Sequence, residues 1–396
     1  MKMGGLLAVN QGSLDEPSFS ILEHKPNNAV NKRPLILVGK GIVYDTGGLS
    51  LKPTKGMDIM KVDMGGAACV ISAINAVAKS NLPVYVIGLI PATDNRPSGN
   101  AYAPGDVVEM YDGTNVEVLN TDAEGRMILA DALSYAKKYN PELVIDMATL
   151  TGSAARAIGH FGIVSMHNKA EKQHQKLKEA GLEVYERLAE MPFWDEYDEL
   201  MKSDIADIRN IGNADFAGAI TAGKFLVHFT DYPWIHLDIA GPTYVTSEFG
   251  YRGKGATAIG VRLIYHFIEN YTKSNYYFKK SLNYDYLDHS ALYNILYCYE
   301  MIKDSNGLIL FLKEYLSKNP YNEIGWHNLG KSYVKNKMYD EAITSFDFAI
   351  FSGIIGSAQF FELRKDFLLA QAFQILTPLS FKYFIFVSPL KNHKSS

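Results

Sequence analysis

The sequence is poor in cysteine, with only Cys69 and Cys298 in 396 residues. Two thiols so far apart exclude a disulfide framework and are typical of a reducing compartment, where both are expected to be buried. Residues 1–11 lack the basic start, long apolar run and small-residue cleavage site of a signal peptide. We therefore expect a cytoplasmic protein.

Long apolar runs are also missing. The two longest, at residues 349–361 and 373–390, are short or are broken by polar residues and prolines, so we expect no membrane span. The formal net charge of −4 gives no reason to expect nucleic acid or an anionic membrane as a partner. With 47% hydrophobic and 21% charged residues, the composition is that of an ordinary globular protein of two or three domains.

Two common hydrolase signatures are absent. The ten histidines form no His-Glu-x-x-His pair, which disfavours a mononuclear zinc protease of that class. No Gly-x-Ser-x-Gly elbow occurs, which argues against a serine hydrolase of the α/β class.

A charged stretch, Asn-Thr-Asp-Ala-Glu-Gly-Arg, occupies residues 120–126 after the apolar run 116–119. In an extended segment, residues two apart point to one side, so Asp122, Glu124 and Arg126 are predicted to converge at a strand end. Two carboxylates that point the same way repel each other unless a cation lies between them, and a divalent metal pair would serve. Taken alone, the stretch also fits a charged turn with a capping aspartate before a helix.

A second cluster lies upstream, where Lys40, Asp45, Lys52 and Asp63 are interleaved with glycines. The blocks Gly-Lys-Gly, Asp-Thr-Gly-Gly and Asp-Met-Gly-Gly, in this order and spacing, together with residues 120–126, resemble the leucine aminopeptidase family, the cytosolic dinuclear-metal aminopeptidases. The resemblance extends from about residue 3 to about residue 273. The family's separate N-terminal domain is expected to be absent from this chain.

The resemblance implies five metal ligands, namely Lys40, Asp45, Asp63, Asp122 and Glu124. Their four carboxylates would offset the charge of two divalent ions, manganese or zinc, that share and activate a water molecule. Lysine is an uncommon ligand because it must lose its proton to bind a metal. Considered alone, Lys40 also fits an ordinary surface lysine.

The resemblance also implies two catalytic residues. Lys52 is expected to stay protonated and to stabilise the oxyanion that develops on the peptide carbonyl. Arg126 is expected to hold a bicarbonate ion that serves as general base, and a bidentate guanidinium suits such a planar oxyanion. The alternative for Arg126 is a salt bridge at the start of a helix.

By the same resemblance, the substrates are peptides with a free N-terminus, and an apolar first residue such as leucine is preferred. Met60, Thr149, Leu150 and Gly152 match positions that line the substrate pocket. For Met60 and Leu150, plain core packing is an open alternative. The family forms hexamers, so a homo-oligomer is expected.

Apolar runs alternate with helical patterns over the first 273 residues, and this order predicts an α/β fold with a mostly parallel sheet and helices on both faces. The runs at 35–38, 116–119 and 142–147 end just before Lys40, Asp122 and Thr149, and ligands of such sheets bind at the carboxyl ends of the strands. Residues 169–190 are predicted to form a polar surface helix.

The last third of the chain differs in character. Trp326, Leu329, Gly330 and Tyr333, followed by Ala342, match the 34-residue tetratricopeptide pattern. We predict three parts: a catalytic domain (1–273), an all-α segment (274–374) with repeats at 289–322 and 323–356, and a loosely ordered end (375–396). The all-α segment is either a docking surface for a protein partner, an assembly device, or a helical appendage without a partner, and a fusion of two genes is a further interpretation. The alternative function for the whole chain is a non-catalytic interaction protein.

Overall fold

The computed structural model describes residues 2–284, 292–293, 295–296, 299 and 305–352, and for 273–284 it describes the backbone alone. The chain divides into two compact units, Met1–Ser274 and Asn275–Ser396. Within the described ranges, no helix is both long enough and apolar enough to cross a membrane.

The first unit contains thirteen strands: β1 (Ser18–His24), β2 (Leu35–Gly39), β3 (Gly41–Asp45), β4 (Val86–Asn95), β5 (Val107–Glu109), β6 (Asn115–Glu117), β7 (Leu143–Ala148), β8 (Ile163–Asn168), β9 (Leu188–Glu190), β10 (Ile208–Arg209), β11 (Trp234–Asp238), β12 (Tyr244–Val245) and β13 (Gly255–Ala256). Its α-helices are α1 (Gly4–Asn10), α2 (Thr54–Met57), α3 (Gly65–Lys79), α4 (Glu124–Ala136), α5 (Gly152–Ile158), α6 (Glu171–Glu183) and α7 (Gly218–His228), and it also contains residues 261–274 of α8 (Val261–Tyr284). Short 3-10 helices span Met60–Val62, Lys137–Tyr139, Gly159–Phe161 and Asp195–Met201.

An eight-stranded sheet organises this unit, with the order β1-β4-β2-β7-β11-β8-β9 and with β3 paired to β4. The central pairs β4/β2, β2/β7 and β7/β11 are parallel, whereas β1 and β8 run antiparallel to their neighbours β4 and β11. The carboxyl ends of β2, β7 and β11 therefore meet at one edge of the sheet, as the prediction of a mostly parallel sheet requires.

Helices cover both faces of this sheet. One apolar core joins α1, α4 and α7 to side chains such as Val38, Val144 and Trp234. The other joins α3, α6 and α8 to the alternate side chains of the same strands, such as Leu37 and Ile145. Because β2 is buried along its whole length, its sequence is a continuous apolar run without alternation. The predicted α/β fold is confirmed.

The extended geometry predicted for residues 120–126 is wrong. The Asn120 side chain accepts a hydrogen bond from the Asp122 N–H (2.8 Å), which forms a turn, and α4 begins at Glu124. Residues two apart on a helix point in nearly opposite directions, so Glu124 and Arg126 do not share one side. The preceding apolar run contributes β6, which belongs to a small separate sheet with β5 and β10.

The helix predicted over residues 169–190 is also shorter than expected. It ends at Glu183, and Tyr185 takes a left-handed backbone conformation with φ of 58°. The chain then forms β9, which pairs with β8 at the border of the sheet.

The described part of the second unit is helical, with helices at Ser305–Lys318, Glu323–Lys335 and Tyr339–Ser352. Their buried side chains, including Leu312, Leu329 and Phe346, form a core of their own. An all-α segment is thus confirmed, whereas its assignment to the tetratricopeptide class stays a prediction. Residues 353–396, which contain the predicted loosely ordered end, and Cys298 lie outside the described residues.

Candidate metal centre

Lys40 lies at the carboxyl end of β2, against the start of α3. Its N–H donates to the carbonyl of Met147 on β7 (3.1 Å), and its own carbonyl accepts from the N–H of Ala67 (2.9 Å). Gly66 permits this close approach, because a Cβ there would lie 2.0 Å from the Met147 oxygen. The junction of sheet and helix therefore fixes the lysine backbone at the edge where the parallel strands end.

Acceptors surround the Lys40 ammonium. Its Nζ lies 2.8 Å from both carboxylate oxygens of Asp63 and 2.8 Å from Oε1 of Glu124. It also donates to the carbonyl of Thr149 (2.9 Å), whose hydroxyl donates to Oδ1 of Asp63 (2.7 Å). The Lys40 side chain is only 3% exposed, so it is an enclosed group and not a surface lysine.

Lys52 forms a second group of ion pairs beside the first. Its Nζ lies 2.7 Å from Oδ2 of Asp45 and is also paired with Oδ1 of Asp122. The side chains of Lys52 and Asp122 are 19% and 33% exposed, so this half of the cluster faces solvent. The cluster thus has a closed side at Lys40 and an open side at Lys52.

Asn95 and Thr121 hold the open side in place. The Asn95 amide donates to Oδ1 of Asp45 (2.8 Å) and to the carbonyl of Thr121 (3.0 Å). The Thr121 hydroxyl donates to the carbonyl of Gly47 (2.7 Å), which has a φ of 87°. A Cβ on Gly47 would lie 2.9 Å from Oδ1 of Asp122, so the turn needs glycine both for its conformation and for space. The roles of Asn95 and Thr121 were not predicted, because each acts through a neighbour.

Burial and mutual repulsion disfavour the charged forms of the carboxylates in this cluster. Burial raises the pKa of Asp63 well above its usual value, and burial together with the charge of Asp45 raises the pKa of Glu124. Burial alone would lower the pKa of Lys40, but the charges of Asp63, Glu124 and Asp45 outweigh it and raise that pKa. Burial also acts to lower the pKa of Lys52, and the charge of Asp45 is the largest of the effects that raise it overall.

The donor set fits divalent cations. Carboxylate oxygens of Asp45, Asp122 and Glu124 lie within 4.8 Å of one another, close enough for one ion to contact all three. Oε2 of Glu124 is buried and has no hydrogen-bond partner among the described residues. Oxygen-rich sites of this kind suit magnesium, manganese and zinc.

Arg126 lies on α4 beyond this cluster and is 7% exposed. Its Nη1 donates to the backbone carbonyl of Asn210 (2.7 Å), whose side chain donates to the carbonyl of Asn120 (2.7 Å). Burial lowers the pKa of Arg126 to about 10, which still leaves the guanidinium charged at neutral pH. Nε of Arg126 is buried without a partner among the described residues, so it remains available to an anion. The role of Asn210 was not predicted, because this residue lies 84 positions further along the chain from Arg126.

The four predicted pocket residues lie around this edge on two segments. Met60 starts the short 3-10 helix that leads to Asp63, and Thr149 contacts Asp63 as described. Leu150 packs partly buried against the core, and Gly152 is the first residue of α5. The second of these segments, residues 149–152, is held by Asp238 at the end of β11, which accepts hydrogen bonds from the Leu150 N–H (3.2 Å) and the Thr151 hydroxyl (2.7 Å). This role of Asp238 was not predicted.

Comparison with known proteins gives a consistent result. The profile of the cytosol aminopeptidase family, catalytic domain, matches residues 1–265. A probable cytosol aminopeptidase of Chlorobium phaeobacteroides is 52% identical over 267 residues, which cover 67% of this chain and 52% of that protein. One from Geobacter sulfurreducens is 51% identical over 268 residues, covering 67% and 53%. The solved structure of the bottromycin maturation enzyme BotP in complex with Mn has 35% identity and a TM-score of 0.64, and the match covers 68% of this chain and 59% of that one.

The chain spans about half the length of the curated relatives it matches. The matched range nevertheless contains every charged residue of the candidate metal centre and its four neighbouring pocket residues. The chain therefore belongs to the cytosol aminopeptidase family.

Proposed function

We propose that this protein is a dinuclear metallo-aminopeptidase that removes the first residue of peptides with a free N-terminus. The observation that carries the proposal is the convergence of Lys40, Asp63 and Glu124 with Lys52, Asp45 and Asp122 at the carboxyl edge of the sheet. Family membership and the manganese complex of the similar BotP protein support a metal-dependent hydrolase.

Two divalent ions, manganese or zinc, would be held by Lys40, Asp45, Asp63, Asp122 and Glu124. Four carboxylates among these ligands offset the roughly +4 charge of two such ions. When bound, the ions supply an activated water and polarise the peptide carbonyl. Oε2 of Glu124, buried without a partner among the described residues, is the oxygen best placed to gain from a cation.

The two lysines take different roles because they differ in burial. Lys40 is 3% exposed, so a substrate cannot reach it, and its enclosed Nζ serves as a ligand after it has lost a proton. Lys52 is 19% exposed, and neighbouring carboxylates raise its pKa above the ordinary value. Lys52 therefore keeps its proton and donates to the carbonyl oxygen of the substrate as negative charge develops there.

Arg126 provides the site for an oxyanion, which we assign to bicarbonate acting as general base. One nitrogen of the guanidinium is fixed by Asn210, and Nε is free of described partners. A guanidinium offers paired N–H donors that match a planar oxyanion. Held at Arg126, bicarbonate would supply the general base of the site.

Specificity is assigned to the segments that border Asp63. Met60 and Gly152 would shape an apolar slot for the first side chain, with leucine as the preferred residue, and Thr149 and Leu150 would line the adjoining backbone. Asp238 keeps this segment in place through its bonds to Leu150 and Thr151. A homo-oligomer, a hexamer by family resemblance, is proposed as the assembly. A protein partner for the helical second unit is a further proposal.

The test is hydrolysis of leucine p-nitroanilide by the full chain, with and without added manganese or zinc. Asp122→Asn and Glu124→Gln keep side-chain size and remove one carboxylate each, and Asp106→Asn, at an exposed turn, is the matched control. We expect metal-dependent turnover that both site variants lose and the control keeps. A folded wild-type protein that is inactive with either metal would refute the enzyme and favour the interaction-protein alternative.

A further inference from the structure

A second group of metal-ligand side chains lies at the opposite edge of the sheet. His167, His174 and Glu190, here called the edge cluster, place one ligand atom each within 4.8 Å of one another. Strand β8 runs antiparallel to β11, so that its last residue, Asn168, pairs with Trp234, the first residue of β11. Asp238, at the other end of β11, borders the candidate metal centre. The two sites are therefore separated by a strand length, roughly 13 Å for five residues.

The fold brings the three side chains together from β8, β9 and α6. The register of β8 and β9 sets Ser165 opposite Glu190, and His167 follows two residues later on the same face as Ser165. Helix α6 starts at Glu171, directly after β8, and its first turn carries His174 back over that face. His174 is 1% exposed.

The spacing of the donor atoms suits a tetrahedral ion. Nε2 of His167 lies 3.3 Å from Oε1 of Glu190, and Nδ1 of His174 lies 3.7 Å from Oε2 of Glu190. Zinc bonds to nitrogen and oxygen are about 2.0–2.1 Å long, which puts tetrahedral ligand atoms about 3.3 Å apart. These two distances run to different oxygens of Glu190, and the three donor atoms lie within 4.8 Å of one another, so binding would draw them together around the ion.

The orientation of His174 is set by a hydrogen bond of its other ring nitrogen. Nε2 lies 2.9 Å from the hydroxyl of the fully buried Ser165. When Nε2 carries the proton and donates to Ser165, the lone pair of Nδ1 points toward Glu190. Histidine ligands of metals commonly use their second nitrogen in this way.

Glu171, which lies beside His167, could supply a fourth ligand. Oε2 of Glu171 lies 3.2 Å from Nε2 of His167, and its side chain is 80% exposed, so it can move at little cost. Two neutral imidazoles and two carboxylates would neutralise one divalent ion. Lys178 currently pairs with Oε2 of Glu190 (2.9 Å), and its side chain, one-third exposed, can turn to solvent when a cation replaces it. The other ring nitrogen of His167, Nδ1, is buried without a partner among the described residues, so Nε2 is the nitrogen of His167 that faces the other ligands.

We propose that His167, His174 and Glu190, completed by Glu171, bind one zinc ion that ties α6 to the border strands β8 and β9. Imidazole with carboxylate favours zinc over magnesium or calcium, which prefer oxygen alone. The role is structural, since the site is remote from the candidate metal centre and closes the sheet at its last strand.

The test is the zinc content of the full chain after equilibrium dialysis against zinc and removal of loosely bound metal. The double variant His167→Gln/His174→Gln is compared with wild type and with His160→Gln, which changes a histidine outside the edge cluster. The same pair of histidine changes is repeated in an Asp122→Asn/Glu124→Gln background that weakens the candidate metal centre. We expect one equivalent less zinc in both backgrounds, and no loss in the His160 control.

Glu190→Gln supplies a second readout that does not depend on replacing a buried histidine. This change keeps the size of a side chain that is 38% exposed, so the fold is retained. We expect the rise in melting temperature on adding zinc to shrink and zinc affinity to fall more than about tenfold. Equal zinc content in wild type and the histidine double variant, or a zinc-dependent melting curve unchanged by Glu190→Gln, would overturn the proposal.

Discussion

Gly125→Ala is a sharp test of Lys40, because it changes none of the charged residues. Gly125 lies in the first turn of α4, and a Cβ there would lie 2.5 Å from Cε and 2.7 Å from Nζ of Lys40. A normal carbon–carbon contact needs at least about 3.4 Å, so the end of Lys40 must move by about 1 Å. The backbone of Gly125 is helical, and alanine fits it without strain.

The expected effects on stability and function differ widely. Replacing glycine by alanine within a helix raises the free energy of unfolding by about 0.5–1 kcal/mol, and loss of one charge-assisted hydrogen bond of Lys40 lowers it by about 1.5–3 kcal/mol. The net loss of about 1–2 kcal/mol would lower the melting temperature by only a few degrees. Misplacing a group at the reactive centre by about 1 Å costs about 100-fold in kcat/KM.

The assays are leucine p-nitroanilide hydrolysis, metal titration by calorimetry and thermal melting by circular dichroism. Gly99→Ala is the matched control, because a Cβ at Gly99 meets nothing within 4 Å. The control should behave as wild type in all three assays. If Gly125→Ala bound metal and turned over substrate as wild type does, Lys40 could not be a ligand at the place where the structure puts it.

Three further changes test single interactions. Lys52→Met should lower kcat by about 10²–10³-fold while metal stoichiometry is kept, as measured by steady-state kinetics and metal analysis, and unchanged kcat would remove Lys52 from catalysis. Thr149→Val removes the hydroxyl that donates to Asp63 (2.7 Å) and should weaken metal binding about 10–100-fold in competition with a chelator, whereas unaltered affinity would show that this bond is dispensable. Burial acts to lower the pKa of His236 and the charge of Asp146 outweighs it, so the folded-state pKa is raised. The stabilisation that protonated His236 contributes is complete below its unfolded-state pKa of about 6.5 and is lost as pH rises through its folded-state pKa. The difference in unfolding free energy between wild type and His236→Gln, measured by urea titration, should therefore fall with rising pH, and a constant difference would contradict this.

Much of the fold was predictable because its strands are fully buried. A strand such as β2 or β7 is apolar throughout, and a run of this kind between helical patterns is a strong indication of a parallel sheet. Edge strands gave no such indication. Strand β9 has three residues, of which none is buried, and its sequence continues the polar pattern of α6. Only its pairing with β8 makes it a strand, and this pairing is not encoded in local periodicity.

The candidate site was predictable where residues act through their own charge, and not where they act through a neighbour. Lys40 and Glu124 stand out in the sequence as charged groups among glycines and apolar residues. Asn210 positions Arg126, and Asp238 positions the segment at Leu150, each by a hydrogen bond that spans about 90 residues of chain. Such partners depend on tertiary packing, so no local pattern distinguishes them from surface residues.

The close grouping of three buried carboxylates, Asp45, Asp63 and Glu124, with the partly exposed Asp122 is explained by the two lysines. Removing a charge from water costs several kcal/mol, and this cost is offset only when a partner of opposite charge is close. Lys40 bridges Asp63 and Glu124, and Lys52 bridges Asp45 and Asp122, so each lysine occupies the place of a cation. The same carboxylates that raise the pKa of Lys40 must be taken over by an incoming ion before Lys40 can give up its proton. With Lys40 in its proposed role as a ligand, metal binding and its deprotonation are coupled, and we expect the affinity for metal to increase with pH.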